Sequence, residues 1–391
     1  MKIERALVGG WFQRTTLHLS EVHDFLAGVP TSLPLDSAKL DALHAALAPR
    51  DISLAAEAFE RVSFVSGEGV EADVVEDGLV VVSSRGDEDP RDLVRRLTKF
   101  YEGPLSAAFS YLFSLGAPVP KELASIKTVY PYFIVVSGAS PADVAALFAK
   151  FNERIGRVAE EQGFSIHRGD LLYVIARGAA SEETVARFVE EQIFVREFKR
   201  QLHRYLNLHR TIWERIAAVK ERGSIAGSEI ASFRDRVASY AKTVDLIDAR
   251  INQMGAYLRT REAIAKQDPA LARSAETLRF RYEALADTLA YVREVWAMTR
   301  NYTKAADTLF AELQAKSTEG SIQKLAVVTS MGVGANLLGL FAQKPPTLSW
   351  VGVAYFVALA AIGYASNWLM RRLAAKRTYG IRDVALAKDL D

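Results

Sequence analysis

Four residues near the C-terminal end, Thr329, Gly332, Asn336 and Gly339, recur at i, i+3, i+7 and i+10 within an otherwise apolar run. On a helix that spacing aligns a hydroxyl, an amide and two glycines along one stripe. Polar groups in an apolar setting are costly unless they face protein or water, so the stripe marks either a helix interface or an aqueous path. In the second reading several copies surround an axis, Asn336 supplies a ring of amides, and Leu340 and Phe341 close a hydrophobic outer constriction. The pore-lining set is then Thr329, Gly332, Asn336, Gly339, Leu340 and Phe341. In the first reading the small residues let helices approach closely, as the Ser330/Gly334 pair would. Both readings stay open from the residues alone.

Other chemistry is sparse. There is no GxxxxGK[ST], HExxH, GxSxG or CxxC motif, and no cysteine at all. Six histidines are scattered at 18, 23, 44, 167, 203 and 209, and His209 sits in a helix-packing position. The acidic residues between Glu68 and Asp89 alternate with Val and Gly, which reads as solvated turns and the outer face of a strand. No catalytic constellation is found, so the chain is expected not to be an enzyme, with no metal site assigned.

Two apolar stretches carry and follow the stripe, Leu325–Ala342 and Leu348–Met370, and neither holds a charged side chain. A bilayer core is about 30 Å thick, which about 20 helical residues cross. The stretches are therefore expected to form a transmembrane hairpin, with Trp350 and Trp368 as interfacial anchors. Arg371, Arg372, Lys376 and Arg377 follow the second stretch, whereas the connection carries only Lys344. That asymmetry places both termini in the cytoplasm and the chain in the inner (plasma) membrane as a multi-pass protein. The net charge of +2 over 391 residues gives no field suited to nucleic acid.

The elements ahead of the hairpin divide in two. Strand signals occur at 6–8, 62–65, 78–83, 130–136 and 171–175, and helical ones at 38–48, 90–115 and 141–162. From Glu182 onward the pattern is helical, with apolar residues stepping by three and four from Phe198 to Val219, Ile230 to Leu258 and Leu271 to Leu313. The expected fold class is an α/β cytoplasmic domain followed by long coiled-coil-like helices and a C-terminal two-helix transmembrane hairpin. The expected segments are 1–180 for the α/β domain, 181–320 for a helical stalk, 321–371 for the membrane helices and 372–391 for a basic tail.

Pro346-Thr347-Leu348-Ser349-Trp350, seven residues after Gly339, looks like the MPEL-type loop of the CorA family of divalent-cation transporters, and the whole layout resembles theirs. Gly339-Leu340-Phe341 stands where that family has Gly-Met-Asn, so the asparagine oxygen that would meet a hydrated cation is missing. The resemblance implies a homopentamer in a lipid bilayer, with a divalent cation such as Mg²⁺ as permeant ion or regulator and no other cofactor. Two functions follow as expectations. One is a divergent CorA-like ion channel gated through its cytoplasmic domain and stalk. The other is a membrane-anchored sensor or effector whose cytoplasmic domain binds a ligand or partner without selective metal transport.

Overall fold

Strand β1 (Lys2–Trp11) is buried on both sides over its second half, Ala6 to Trp11, and this continuous apolar run marks a strand covered by two layers. The computed structural model describes residues 1–13, 17–30, 33–56, 59–86, 88–113, 130–161, 163–271 and 274–341, with side chains to 317 except at 275 and 276, then positions 350, 357, 361, 364–365, 368, 372 and 377–381. Two compact units are formed, one from residues 1–206 and 246–293, the other from 207–245 and 294–391.

The first unit is built on a sheet of nine strands among the described residues: β1, β2 (Arg50–Ala56), β3 (Glu60–Val65), β4 (Glu71–Val75), β5 (Leu79–Ser84), β6 (Tyr132–Ser137), β7 (Arg157–Glu161), β8 (Phe164–Arg168) and β9 (Leu172–Arg177). Their order is β2-β3-β4-β5-β1-β6-β9-β8-β7. Only β6 and β9 pair in parallel, in register from Tyr132↔Leu172 to Ser137↔Arg177. At the edges the chain is more polar: β2 is mostly exposed, with a register shift between Arg50 and Ser53, and β7 reads Arg-Val-Ala-Glu-Glu.

One face of the sheet presents Val8, Val62, Phe64, Val74, Val82, Ile134 and Val174 to a core shared with α1 (Leu19–Leu26), α2 (Ser37–Leu47), α3 (Pro90–Phe100), α4 (Ser106–Leu112) and α5 (Pro141–Lys150). Asp89 caps α3 by accepting from Arg91 N, with Pro90 at the first turn. The single helix expected over 90–115 is interrupted by a π-helical turn at Tyr101–Leu105 that holds Pro104, which has no N–H for the helical ladder. The helix expected over 141–162 keeps its Ser140/Asp143 capping box but stops at Lys150. Asn152 then turns at φ +57, and the chain re-enters the sheet as β7.

Three long helices follow, α6 (Glu182–Lys220), α7 (Gly227–Gln267) and α8 (Ala275–Phe341), and the opposite face of the sheet receives the parts of them that belong to the first unit, 182–206, 246–267 and 275–293. Trp11 packs on Phe194 and Phe198 of α6 at ring separations of 5.6 and 5.3 Å, and on Tyr257 of α7 at 6.4 Å. In the second unit Trp213 stacks on Tyr302 with ring centres 4.1 Å apart, and Phe233 meets Phe310 edge-on at 4.5 Å. The imidazole of His209 bonds the Thr299 hydroxyl, and β10 (Ser224–Ala226) pairs with β11 (Thr378–Gly380).

The α/β part and the long helices are present, but the transmembrane hairpin is not retained. Among the described residues no helix is long and apolar enough to cross a membrane. The stripe Thr329–Gly339 lies on the backbone of α8, a helix of 67 residues that begins far upstream. Where its side chains are described, that helix buries Leu278, Tyr282, Leu285, Leu289, Val292 and Trp296 and exposes charged residues between them. Counting apolar residues isolates a run from the amphipathic helix it continues, which is why length alone suggested a span. The connection 343–347 and most of 348–370 lie outside the described residues. The multi-pass inner-membrane placement with cytoplasmic termini, and the membrane channel that rested on it, fall with the hairpin.

Gly9 sets the distance of α6 from the sheet. A Cβ there would stand 2.6 Å from the Val80 carbonyl oxygen and 3.1 Å from Ile193 Cδ1. Gly9→Ala is expected to lower unfolding stability by about 2 kcal/mol through overpacking. A urea midpoint equal to that of the wild type would refute the close approach.

Candidate functional site

Helix α6 carries Phe188, Val189, Ile193, Phe194 and Phe198 into the sheet, yet the same buried stretch includes Glu190, Glu191, Gln192 and Glu197. Buried charges must be paired, and the first two are. Arg61 of β3 donates from Nη1 and Nη2 to the two oxygens of Glu190, at 2.8 and 2.9 Å. Asp73 of β4 lies 3.6 Å from Arg61 and accepts from Ser63 Oγ at 2.6 Å. Arg261 of α7 donates from Nε to Glu191 at 3.0 Å and from Nη1 to Asp77, while the Tyr282 hydroxyl of α8 donates to the other Glu191 oxygen. Asp77 also accepts from Leu79 N at 3.1 Å, and its own carbonyl takes the Trp11 indole N–H at 2.8 Å. The Arg261 guanidinium stands over the Phe194 ring at 4.7 Å.

Burial and pairing pull these groups in opposite directions. Burial raises Glu191 above the ordinary carboxylate range despite Arg261 and Tyr282, and it raises Asp73 despite Arg61. Burial also opposes ionisation of Glu190, but the two-pronged bond from Arg61 outweighs it and holds Glu190 low. For Arg261 the carboxylates of Asp77 and Glu191 overcome burial and keep the guanidinium charged. Glu197, which has only Arg200 at 3.5 Å, is pushed up to about 7, chiefly by burial and against the pull of Arg200, Arg196 and Arg204.

A cavity of about 270 Å³ opens above this network. Arg261 and Glu191 form its buried floor, Phe59, Val75 and Leu271 are among its apolar walls, and Asp268 of the α7–α8 turn and Glu183 at the start of α6 bring carboxylates to it. Of the three lining arginines, Arg61 and Arg261 are committed to Glu190, Glu191 and Asp77, and Arg187 shares Glu190 at 3.5 Å. Glu183 is exposed and enters no ion pair among the described residues; the Asp268 carboxylate accepts a 2.8 Å bond from Ala270 N. The charge left for a ligand at Glu183 and Asp268 is therefore negative, beside the Phe59 ring, which the Arg261 guanidinium also approaches at 5.8 Å.

The residues singled out from the sequence lie elsewhere. Thr329, Gly332, Asn336, Gly339, Leu340 and Phe341 share the backbone of α8, and their side chains are outside the described residues. Among the described residues no group of three or more His, Asp or Glu side chains is placed to hold a metal ion. The acidic stretch 68–89 is only partly a solvated face, because Asp73 and Asp77 turn into the network. A signal for Arg261 was present: it continues the buried 3-4 stripe Ile247, Ile251, Met254, Leu258.

No family model matches the chain, and no curated protein is similar to it. Among solved structures, that of the full-length CmaX protein aligns with 62% of this chain and 88% of its own, at 13% identity and a TM-score of 0.26. A likeness that slight carries no argument about fold or activity.

Two outcomes follow from the buried charges. Arg261→Met leaves Asp77 and Glu191 without their cation and is expected to cost about 3–5 kcal/mol in denaturant unfolding; a loss under 1 kcal/mol would show that the network is solvated. Glu197 has its folded pKa raised from 4.5 to about 7, so between those values the folded state binds more protons than the unfolded one, and stability falls as pH rises. Relative to Glu197→Gln, the wild type should lose up to roughly 3 kcal/mol between pH 4.5 and 8. Parallel pH profiles for the two proteins would contradict that assignment.

Proposed function

We propose that this chain is a binding protein, not an enzyme, whose α/β unit receives a small organic cation in the cavity above Arg261. The observation that carries the reading is the pairing pattern: Arg61, Arg187 and Arg261 in the wall are each met by a buried carboxylate, while the carboxylates of Glu183 and Asp268 are met by no arginine among the described residues. An amine or guanidine group would sit between those carboxylates, with its carbon chain against Phe59 and Val75. Removing one cation from water is offset only by such charge-assisted bonds, which favours a ligand with a cationic head and an apolar body. The cavity is walled on one side by the α7–α8 turn, so occupancy would order residues 264–271. This retains the expectation of a ligand-binding sensor or effector and drops its membrane anchor.

Calorimetric titration of the full chain with agmatine and putrescine, with succinate as the anionic control, tests the reading. Saturable binding of an amine, weakened about tenfold by Glu183→Gln and again by Asp268→Asn, is expected. Asn at 268 keeps the acceptor for Ala270 N, so the turn itself should survive. No saturable response to either amine, or equal affinity in the double variant, would sink it.

A further inference from the structure

The sheet face that matches its charges over β3 and β4, and pairs Arg177 at the end of β9 with Glu4, leaves the other arginines of β7 and β8 without a carboxylate among the described residues. Register puts Arg157, Arg168 and Tyr173 directly opposite one another across these three strands, hence on one face. Phe164 shares that face and packs on Phe188 of α6, ring centres 5.0 Å apart, so the row looks toward the long helices. There Arg168 lies over the Tyr173 ring at 5.6 Å, and Arg281 of α8 donates to Gln192 Oε1 of α6. Arginine has no acceptor, so that bond fixes the Gln192 amide with Nε2 pointing away. Gln192 is 5% exposed, and among the described residues its Nε2 finds no partner; nor do Arg168 Nε and Arg196 Nη1. Arg196 stands one turn beyond Gln192 on the same side of α6.

Three buried donors from three side chains are thus unused in one neighbourhood, and all of them are N–H groups. Buried donors without acceptors are rare in folded proteins, and a cluster of them implies an acceptor that arrives from outside the chain. The carboxylates that approach are Glu161 of β7, on the side of Arg281, and Glu197 of α6, on the side of Arg196. Among the described residues neither forms an ion pair with Arg157, Arg168, Arg196 or Arg281. We infer that Arg168, Arg196 and Gln192, flanked by Arg157 and Arg281, form a binding site for a phosphoryl group, free or carried on a small organic molecule. Several guanidiniums call for a multiply charged oxyanion with several acceptor oxygens, and the guanidinium fork fits phosphate oxygens in pairs.

The electrostatics agree with the geometry. Burial, and then the neighbouring Arg200, pull Arg196 down to about 10; burial, and then Arg168, do the same to Arg281. A bound dianion would remove that mutual repulsion. The site is separate from the cavity above Arg261, so either proposal stands if the other fails.

Inorganic phosphate and phenyl phosphate are titrated into the full chain, with sodium chloride at matched ionic strength as the control, reading heat and thermal midpoint. Saturable phosphate binding with a raised midpoint is expected, weakened at least tenfold in Arg168→Gln and in Arg196→Gln. Arg157→Gln lies at the exposed end of the row, folds whatever the fate of the other two, and should weaken binding several-fold. Tighter binding of phenyl phosphate assigns the site to a phosphorylated organic molecule, and equal or weaker binding assigns it to free phosphate. A chloride effect as large as that of phosphate, no saturable phosphate response, or undiminished affinity in Arg157→Gln and whichever other variants fold would overturn the inference.

Discussion

The first unit depends on one contact: the Arg261 guanidinium, buried between Asp77 and Glu191. A charge this deep costs several kcal/mol to desolvate, so it persists only where opposite charges and hydrogen bonds surround it. Three elements far apart in the chain meet at this point. Asp77 belongs to the turn between β4 and β5, Glu191 to α6, and Arg261 to α7, with Tyr282 of α8 closing the set. An apolar interface between a sheet and three helices tolerates small slides; an interface that must also seat a guanidinium between two carboxylates has one register. The Trp11 indole, bonded to the Asp77 carbonyl and packed on Phe194 and Phe198, ties that register to the central strand.

The rest of the face follows from how α6 distributes its polar residues. Consecutive positions 190, 191 and 192 project to different neighbours: Glu190 to Arg61, Glu191 to Arg261, and Gln192 to Arg281. Toward β3 and β4 the helix brings carboxylates to arginines. Toward β8 and β9 it brings an amide and another arginine. One helix therefore completes its charge on one flank and leaves it open on the other, within a single layer of packing.

Much of the fold could be read from the chain, for reasons that differ by element. β1, β5 and β6 are buried on both faces and appear as unbroken apolar runs, and the long helices announce themselves by a sustained 3-4 stripe. β2, β4, β7 and β8 are not among the expected strands, because their polar residues break any apolar run, and Arg157 falls within the helix expected over 141–162, where Asn152 in fact reverses the chain. That one misreading concealed the arginine row, since Arg157 and Arg168 face each other only as neighbouring strands. Asp77 reads as a surface acid because its partner Arg261 is 184 residues away, in a helix; Asp73 is held within the sheet by Arg61 and Ser63 of β3, and only the Glu190 that shares Arg61 comes from far along the chain. The C-terminal apolar run was judged by its length, which says nothing about the helix from which it extends.

Among the described residues the sheet does not close on itself, and β2 and β7 are its outermost strands, each with a row of backbone N–H and C=O groups to which another chain could add. Both edges are poor templates. β2 is kinked by the register shift between Arg50 and Ser53, with Asp51 at φ +51, and a flat incoming strand cannot follow that bend. β7 meets an approaching strand with Arg157, Glu160 and Glu161, whose charges must shed water for backbone pairing to form. A sheet this wide stays discrete because its margins are bent and charged, while its apolar strands are kept to the middle.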